Sequence, residues 1–130
     1  MSRTFATVLC LPLALIAATT ASAQPIRPFS FGALKAAQAA GKPVLVDVFA
    51  PWCPTCRAQA PTIDALATDP STSSLVILRV DFDHQNSELA FLHVNKQATL
   101  IAYKGKAEVG RALGITDPDQ IKALARSALR

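Results

Sequence analysis

Cys53 and Cys56 stand two residues apart within Trp52-Cys53-Pro54-Thr55-Cys56, directly after the apolar run Val44-Leu45-Val46-Asp47-Val48-Phe49-Ala50. Two thiols at that spacing, at the start of a helix, approach closely enough to close and reopen a small-ring disulfide. The first is placed to become a thiolate. That is the chemistry of a redox-active dithiol. Asp47 is the only ionisable residue in its run, and burial would raise its carboxyl toward the range in which it accepts a proton from Cys56. Between the cysteines, Pro54 lacks an N–H that could stabilise a thiolate, while the Thr55 amide and hydroxyl can still donate.

The rest of the chain must place this pair and leave it free to react. Residues 1–23 read as a signal peptide. Arg3 precedes an apolar run from Phe5 to Ala18, too short for a comfortable membrane span, and Ala21-Ser22-Ala23 offers the small residues a signal peptidase accepts. Cleavage after Ala23 is expected, leaving a domain over residues 24–130 in a periplasmic or secreted location with no stable membrane span. An uncleaved N-terminal anchor is the competing reading, and Leu9 argues against lipid attachment at Cys10. Cleavage would remove Cys10, so that of three cysteines only Cys53 and Cys56 remain. A single close pair does not staple a scaffold, which needs several cysteines closing long loops, and a static bridge across so short a loop yields little entropic stabilisation.

Hydrophobic residues make up 51% of the 130 positions, enough to build one core without metals or cross-links. The net charge is +4, and beyond Arg3 the Lys and Arg residues are scattered from Arg27 to Arg130 with no dense basic run, which gives no basis for a nucleic-acid partner.

Ser30 can cap a helix through Phe31, Leu34 and Ala37 that ends near Gly41. Val44 to Ala50 has the near-continuous apolar character of a central parallel strand covered on both faces. A helix from Cys53 to about Ala67 carries Ala58, Ile63 and Leu66, with a kink expected at Pro61. Leu75 to Val80 reads as a second strand, and Asn86 or Ser87 opens a short helix through Leu89, Phe91 and Leu92. Thr99 to Tyr103 and Glu108 to Ala112 form an antiparallel hairpin around Lys104-Gly105-Lys106. Asp117-Pro118-Asp119-Gln120 combines a capping acid, an N-terminal proline and a capping-box Gln, and opens a last helix through Ile121, Leu124 and Leu129.

A Trp-Cys-x-x-Cys element after a buried strand, a proline five residues beyond the second cysteine, a hairpin and a terminal helix together resemble the thioredoxin family. The likeness covers essentially all of residues 24–130. It implies an α/β fold with a central mixed β-sheet flanked by helices on both faces, and cysteines at the N-terminus of the second helix. Asp47 matches the family's buried acid, Pro61 its kink proline, and Gly105 and Gly114 its late glycines. By the same likeness Cys53 is the nucleophile with a favoured thiolate, Cys56 the resolving thiol, and Trp52 a shield over Cys53 and a platform for substrate. Ala98 and Thr99 lie opposite the cysteines, where a substrate backbone pairs like an added strand. Arg79 falls where the family often carries a lysine near the acid; it either pairs with Asp47 or snorkels to the surface. One departure stands out. Ala98 occupies the usual cis-proline position, and because a cis bond costs a non-proline residue about 2.5–4 kcal/mol, a trans Gln97–Ala98 bond and a reshaped loop are expected.

The expected function is thiol–disulfide exchange on protein thiols or disulfides, recharged by a separate redox donor or acceptor protein and needing no cofactor. The alternative is a copper- or zinc-binding or assembly module that uses the cysteines with His84 or His93. A third reading is a binding domain whose cysteines have become structural. A zinc ribbon is excluded, because two further ligands at a suitable spacing are missing.

Overall fold

The computed structural model describes residues 24–130, so the expected signal peptide and Cys10 lie outside the described residues. The chain enters through a two-residue strand, Arg27–Pro28 (β1), and Ser30 then opens α1 (Phe31–Ala39) by accepting the Ala33 N–H on its hydroxyl at 3.0 Å. That bond satisfies one of the amides a helix start leaves free. Gly41, with φ of 65°, turns the chain out of the helix into β2 (Pro43–Phe49). Then follow α2 (Pro54–Thr68), a single 3-10 turn at Pro70–Thr72, β3 (Val76–Asp81) and α3 (Asn86–Phe91). The hairpin β4 (Thr99–Lys104) and β5 (Ala107–Leu113) and the last helix, α4 (Pro118–Ser127), complete the chain. Asp117 caps α4 by accepting the Asp119 and Gln120 amides.

The five strands form one mixed sheet in the order β1-β3-β2-β4-β5. β2 is central, parallel to β3 and antiparallel to β4. Residue parity separates two cores. Val44, Val46 and Val48 of β2 point toward Leu34 and Ala37 of α1 and Leu89 beside them. Leu45 points the other way, onto Ile63 and Leu66 of α2 and Ile121 and Ala125 of α4. Helices thus cover both faces, and the predicted α/β architecture is the one found. Asp47 has the parity of Leu45, which assigns it to the face covered by α2, the helix whose first turn carries the cysteines.

Several local expectations need correcting. Ala58 and Phe31, read as inward helical positions, are exposed, whereas Gln59 is buried. α4 ends at Ser127, before Leu129. β1 and the 3-10 turn had no signal of their own: a two-residue strand containing proline is identifiable only by its pairing, Arg27 with Leu78 and Pro28 with Arg79 of β3.

Candidate functional site

The site forms where β2 hands over to α2. Cys53 is the N-cap of α2, and its sulfur accepts the backbone N–H of Cys56 at 3.1 Å. Pro54 occupies the first helical position, where its missing N–H costs nothing. The cysteine sulfur thus takes the role that a hydroxyl or carboxylate oxygen plays in an ordinary cap. Both cysteines stand as free thiols. Each is only 1% exposed, in an apolar cluster with Ala50 and Ala98 that is flanked by Phe49 and Phe82. The Cys56 sulfur lies 3.8 Å from the carbonyl of Val48, the residue after Asp47 in β2. Burial, and then its hydrogen bond with Cys53, pushes the Cys56 thiol up to about 11.

Asp47 is 1% exposed, and burial raises its carboxyl above the usual range although Arg79 pulls it back down. Arg79 is its register partner on β3. The guanidinium Nε donates to Asp47 Oδ2 at 2.8 Å, and Nη2 stands at the same 2.8 Å as an ion-pair contact without hydrogen-bond alignment. The guanidinium also lies over the Phe49 ring, 4.4 Å from its centroid. Of the two sequence readings, pairing with Asp47 is the one the structure shows. A cleft of about 420 Å³ borders Phe49, Pro51, Arg79 and Asp83 on this side of the sheet; neither cysteine lines it.

Trp52 is 54% exposed. Its indole N–H bridges both carboxylate oxygens of Asp83 at 3.0 Å, and its ring meets Phe82 edge-on. Thr99 and Ala98 are buried. There is no cis peptide bond among the described residues, so Gln97–Ala98 is trans as expected, and Ala98 adopts a left-handed φ of 60°. The Ala98 N–H donates to Val48 O, and its carbonyl accepts from Gly114 N and from Gln59 Nε2. Thr99 donates its hydroxyl to Lys96 O. Both backbone groups of Ala98 are therefore occupied, which leaves neither for an incoming strand at that residue. Gln59, missed in the sequence because a polar residue on a helix normally faces water, is part of this arrangement.

The metal alternative finds no support in this geometry. His84 binds Asp81 at 2.8 Å in an exposed pair, His93 lies exposed beyond the end of α3, and no group of three or more His, Cys, Asp or Glu side chains fit for a metal gathers among the described residues. No helix among those residues is long and apolar enough to cross a membrane.

Comparison with known proteins adds independent findings. A family model described as Thioredoxin matches residues 32–127. A thioredoxin of Chlamydia trachomatis is 36% identical over 78 residues, which are 60% of this chain and 74% of the relative. Among solved structures, the crystal structure of Trxlp from Edwardsiella tarda EIB202 is 40% identical with a TM-score of 0.74, covering 77% of this chain and 98% of that one. A mutant thioredoxin from Halobacterium salinarum NRC-1, 23% identical, shares the fold with a TM-score of 0.73 over 87% of this chain and 97% of its own.

Proposed function

This chain belongs to the thioredoxin family and is a thiol–disulfide oxidoreductase, and on that premise we propose that it exchanges disulfides with exported proteins through Cys53 and Cys56. The observation that carries this reading is the Cys53 sulfur serving as the N-cap of α2, with the Cys56 thiol buried behind it.

In the reducing direction, the Cys53 thiolate attacks one sulfur of a substrate disulfide, forming a mixed disulfide and releasing one substrate thiolate. Asp47 takes the proton from Cys56, either directly or through a water, and the resulting thiolate attacks the Cys53 sulfur. The Cys53–Cys56 bond forms, the second substrate thiolate leaves, and both substrate sulfurs take up protons. Two electrons have moved from the dithiol to the substrate. The reverse sequence oxidises a dithiol substrate, and a second redox protein restores the starting state in either direction. Exposed Trp52 serves as the platform for the substrate peptide, while buried Ala98 packs against the two thiols. An export address rests on the pattern of residues 1–23.

Reduction of insulin disulfides by wild type, Cys53→Ser and Cys56→Ser tests the chemistry. Wild type is expected to turn over, Cys53→Ser to be inactive, and Cys56→Ser to accumulate a mixed disulfide. Equal activity of wild type and Cys53→Ser would overturn the reading. The mass of the protein recovered from a periplasmic fraction tests cleavage after Ala23, and the glutathione-equilibrated potential of the pair decides which direction dominates.

A further inference from the structure

Gln59 is fully buried on α2, one turn beyond Cys56. A carboxamide taken out of water must be matched, and both acceptors of its Nε2 lie in other segments: Ile115 O at 2.8 Å and Ala98 O at 3.3 Å. These carbonyls belong to the loop entering β4 and the loop leaving β5. Ala98 O also accepts the Gly114 N–H at 2.9 Å, while the Ala98 N–H donates to Val48 O at 2.9 Å. Ala98 is thus held through its N–H and its carbonyl in a left-handed conformation that L residues disfavour. It packs in the same apolar cluster as Cys53 and Cys56.

We propose that Gln59 is a positioning residue for thiol–disulfide exchange, its carboxamide holding the Ala98 turn against the dithiol. Where the family's usual proline stiffens this position by its ring, here hydrogen bonds do it. Thr72, buried near the far end of α2, does not reach the turn: its hydroxyl bonds Leu66 O and Asp69 O. Stability alone does not account for the choice. Gln59 Oε1 is buried without a hydrogen-bond partner among the described residues, a cost that an apolar side chain of similar size would avoid. What the amide adds is its grip on Ala98 and Ile115. Loosening that grip admits water to the sulfurs, and burial is the main reason the Cys56 thiol titrates high.

The inference rests on Cys53 and Cys56 being the reacting pair. Its test compares Gln59→Met, which keeps the bulk and removes the donors, with Leu66→Ala, a cavity on the same helix away from the dithiol. Insulin reduction and the pH titration of thiolate absorbance are measured on each. Gln59→Met is expected to lose about tenfold in kcat/KM, the scale of one lost positioning hydrogen bond, and to lower the Cys56 titration midpoint; Leu66→Ala is expected to change neither. Gln59→Asn, with the donors on a shorter arm, should fall between, and it carries the comparison if Gln59→Met does not fold. Wild-type values for the Gln59 variants, or an equal change in Leu66→Ala, would overturn the proposal. If Gln59→Met matches wild type while Cys53→Ser is inactive, only the positioning role fails; if Cys53→Ser stays active, the dithiol reading itself fails.

Discussion

Asp47 and Arg79 are register partners across the parallel pair β2–β3, and two guanidinium nitrogens of Arg79 converge on a single carboxylate oxygen, Oδ2. The other oxygen, Oδ1, is buried without a partner among the described residues. Arg79 keeps 29% of its side chain in contact with solvent, whereas Asp47 keeps 1%. The pair is lopsided: desolvation falls almost wholly on the acid, which is why its carboxyl is raised despite the adjacent cation.

That asymmetry predicts a pH dependence of stability. A carboxyl raised in the folded state binds its proton more readily folded than unfolded. Its contribution is complete below its ordinary 3.8 and is lost as pH rises through the folded value. Asp47→Asn is expected to be more stable than wild type at pH 7, with the advantage shrinking toward low pH. Urea unfolding across a pH series measures it. A less stable variant at pH 7 would mean that the Arg79 attraction outweighs burial.

The buried resolving thiol predicts a second pH effect. In the Cys53→Ser variant, whose hydroxyl retains a hydrogen-bonding partner for Cys56, iodoacetamide should modify Cys56 slowly at neutral pH. The rate should rise to a midpoint above the thiol's ordinary 9, because burial, the largest cause of the raised value, is still present in the variant. Mass spectrometry of timed samples reads the rate. A midpoint at the ordinary 9 would place Cys56 in contact with water.

Two left-handed residues should respond in opposite ways to replacement. His93, at φ 54° and exposed beyond α3, gains from a residue without a Cβ, so His93→Gly should stabilise by roughly 0.5–1 kcal/mol after the flexibility of glycine is counted. Ala98→Pro forces φ toward about −65° and removes the N–H that Val48 O accepts, and is expected to cost about 3 kcal/mol or more. Thermal unfolding distinguishes them. A tolerated proline at 98 would show that the turn relaxes freely into the family's more usual form.

Trp52 is the only tryptophan in the chain, so its fluorescence reports on the site without labels. The two-oxygen grip of Asp83 on the indole N–H holds the exposed ring against Phe82. Asp83→Ala should lower the steady-state anisotropy of Trp52 and raise KM for insulin severalfold while changing kcat little, because the platform is lost but the thiols are untouched. Unchanged anisotropy would show that packing on Phe82 alone fixes the ring.

How far these features were legible follows from their physical origin. The β2 run, the Ser30 and Asp117 caps and the cysteine spacing are local signals, because each depends on the type of side chain at a fixed offset from its neighbours. Ala98 was legible only as a missing ring. Its φ of 60° follows from hydrogen bonds to Val48, Gly114 and Gln59, residues far apart in sequence. Gln59 was invisible for the same reason, since its partners are carbonyls and carry no side-chain signature. Asp47 could be read as a buried acid, but the choice of Arg79 between pairing and snorkelling rested on strand register.

The short strand β1 has a consequence for how the molecule meets its own copies. It closes one margin of the sheet with only Arg27 and Pro28, and Pro28 has no N–H to offer an approaching chain. The opposite margin, β5, is seven residues long and presents Val109 and Leu113 to solvent. A strand added beside β5 would meet a seven-residue edge, whereas on the other margin it would meet the two residues of β1, one of them a proline. Crowding or partial unfolding would bring molecules together at the β5 side first.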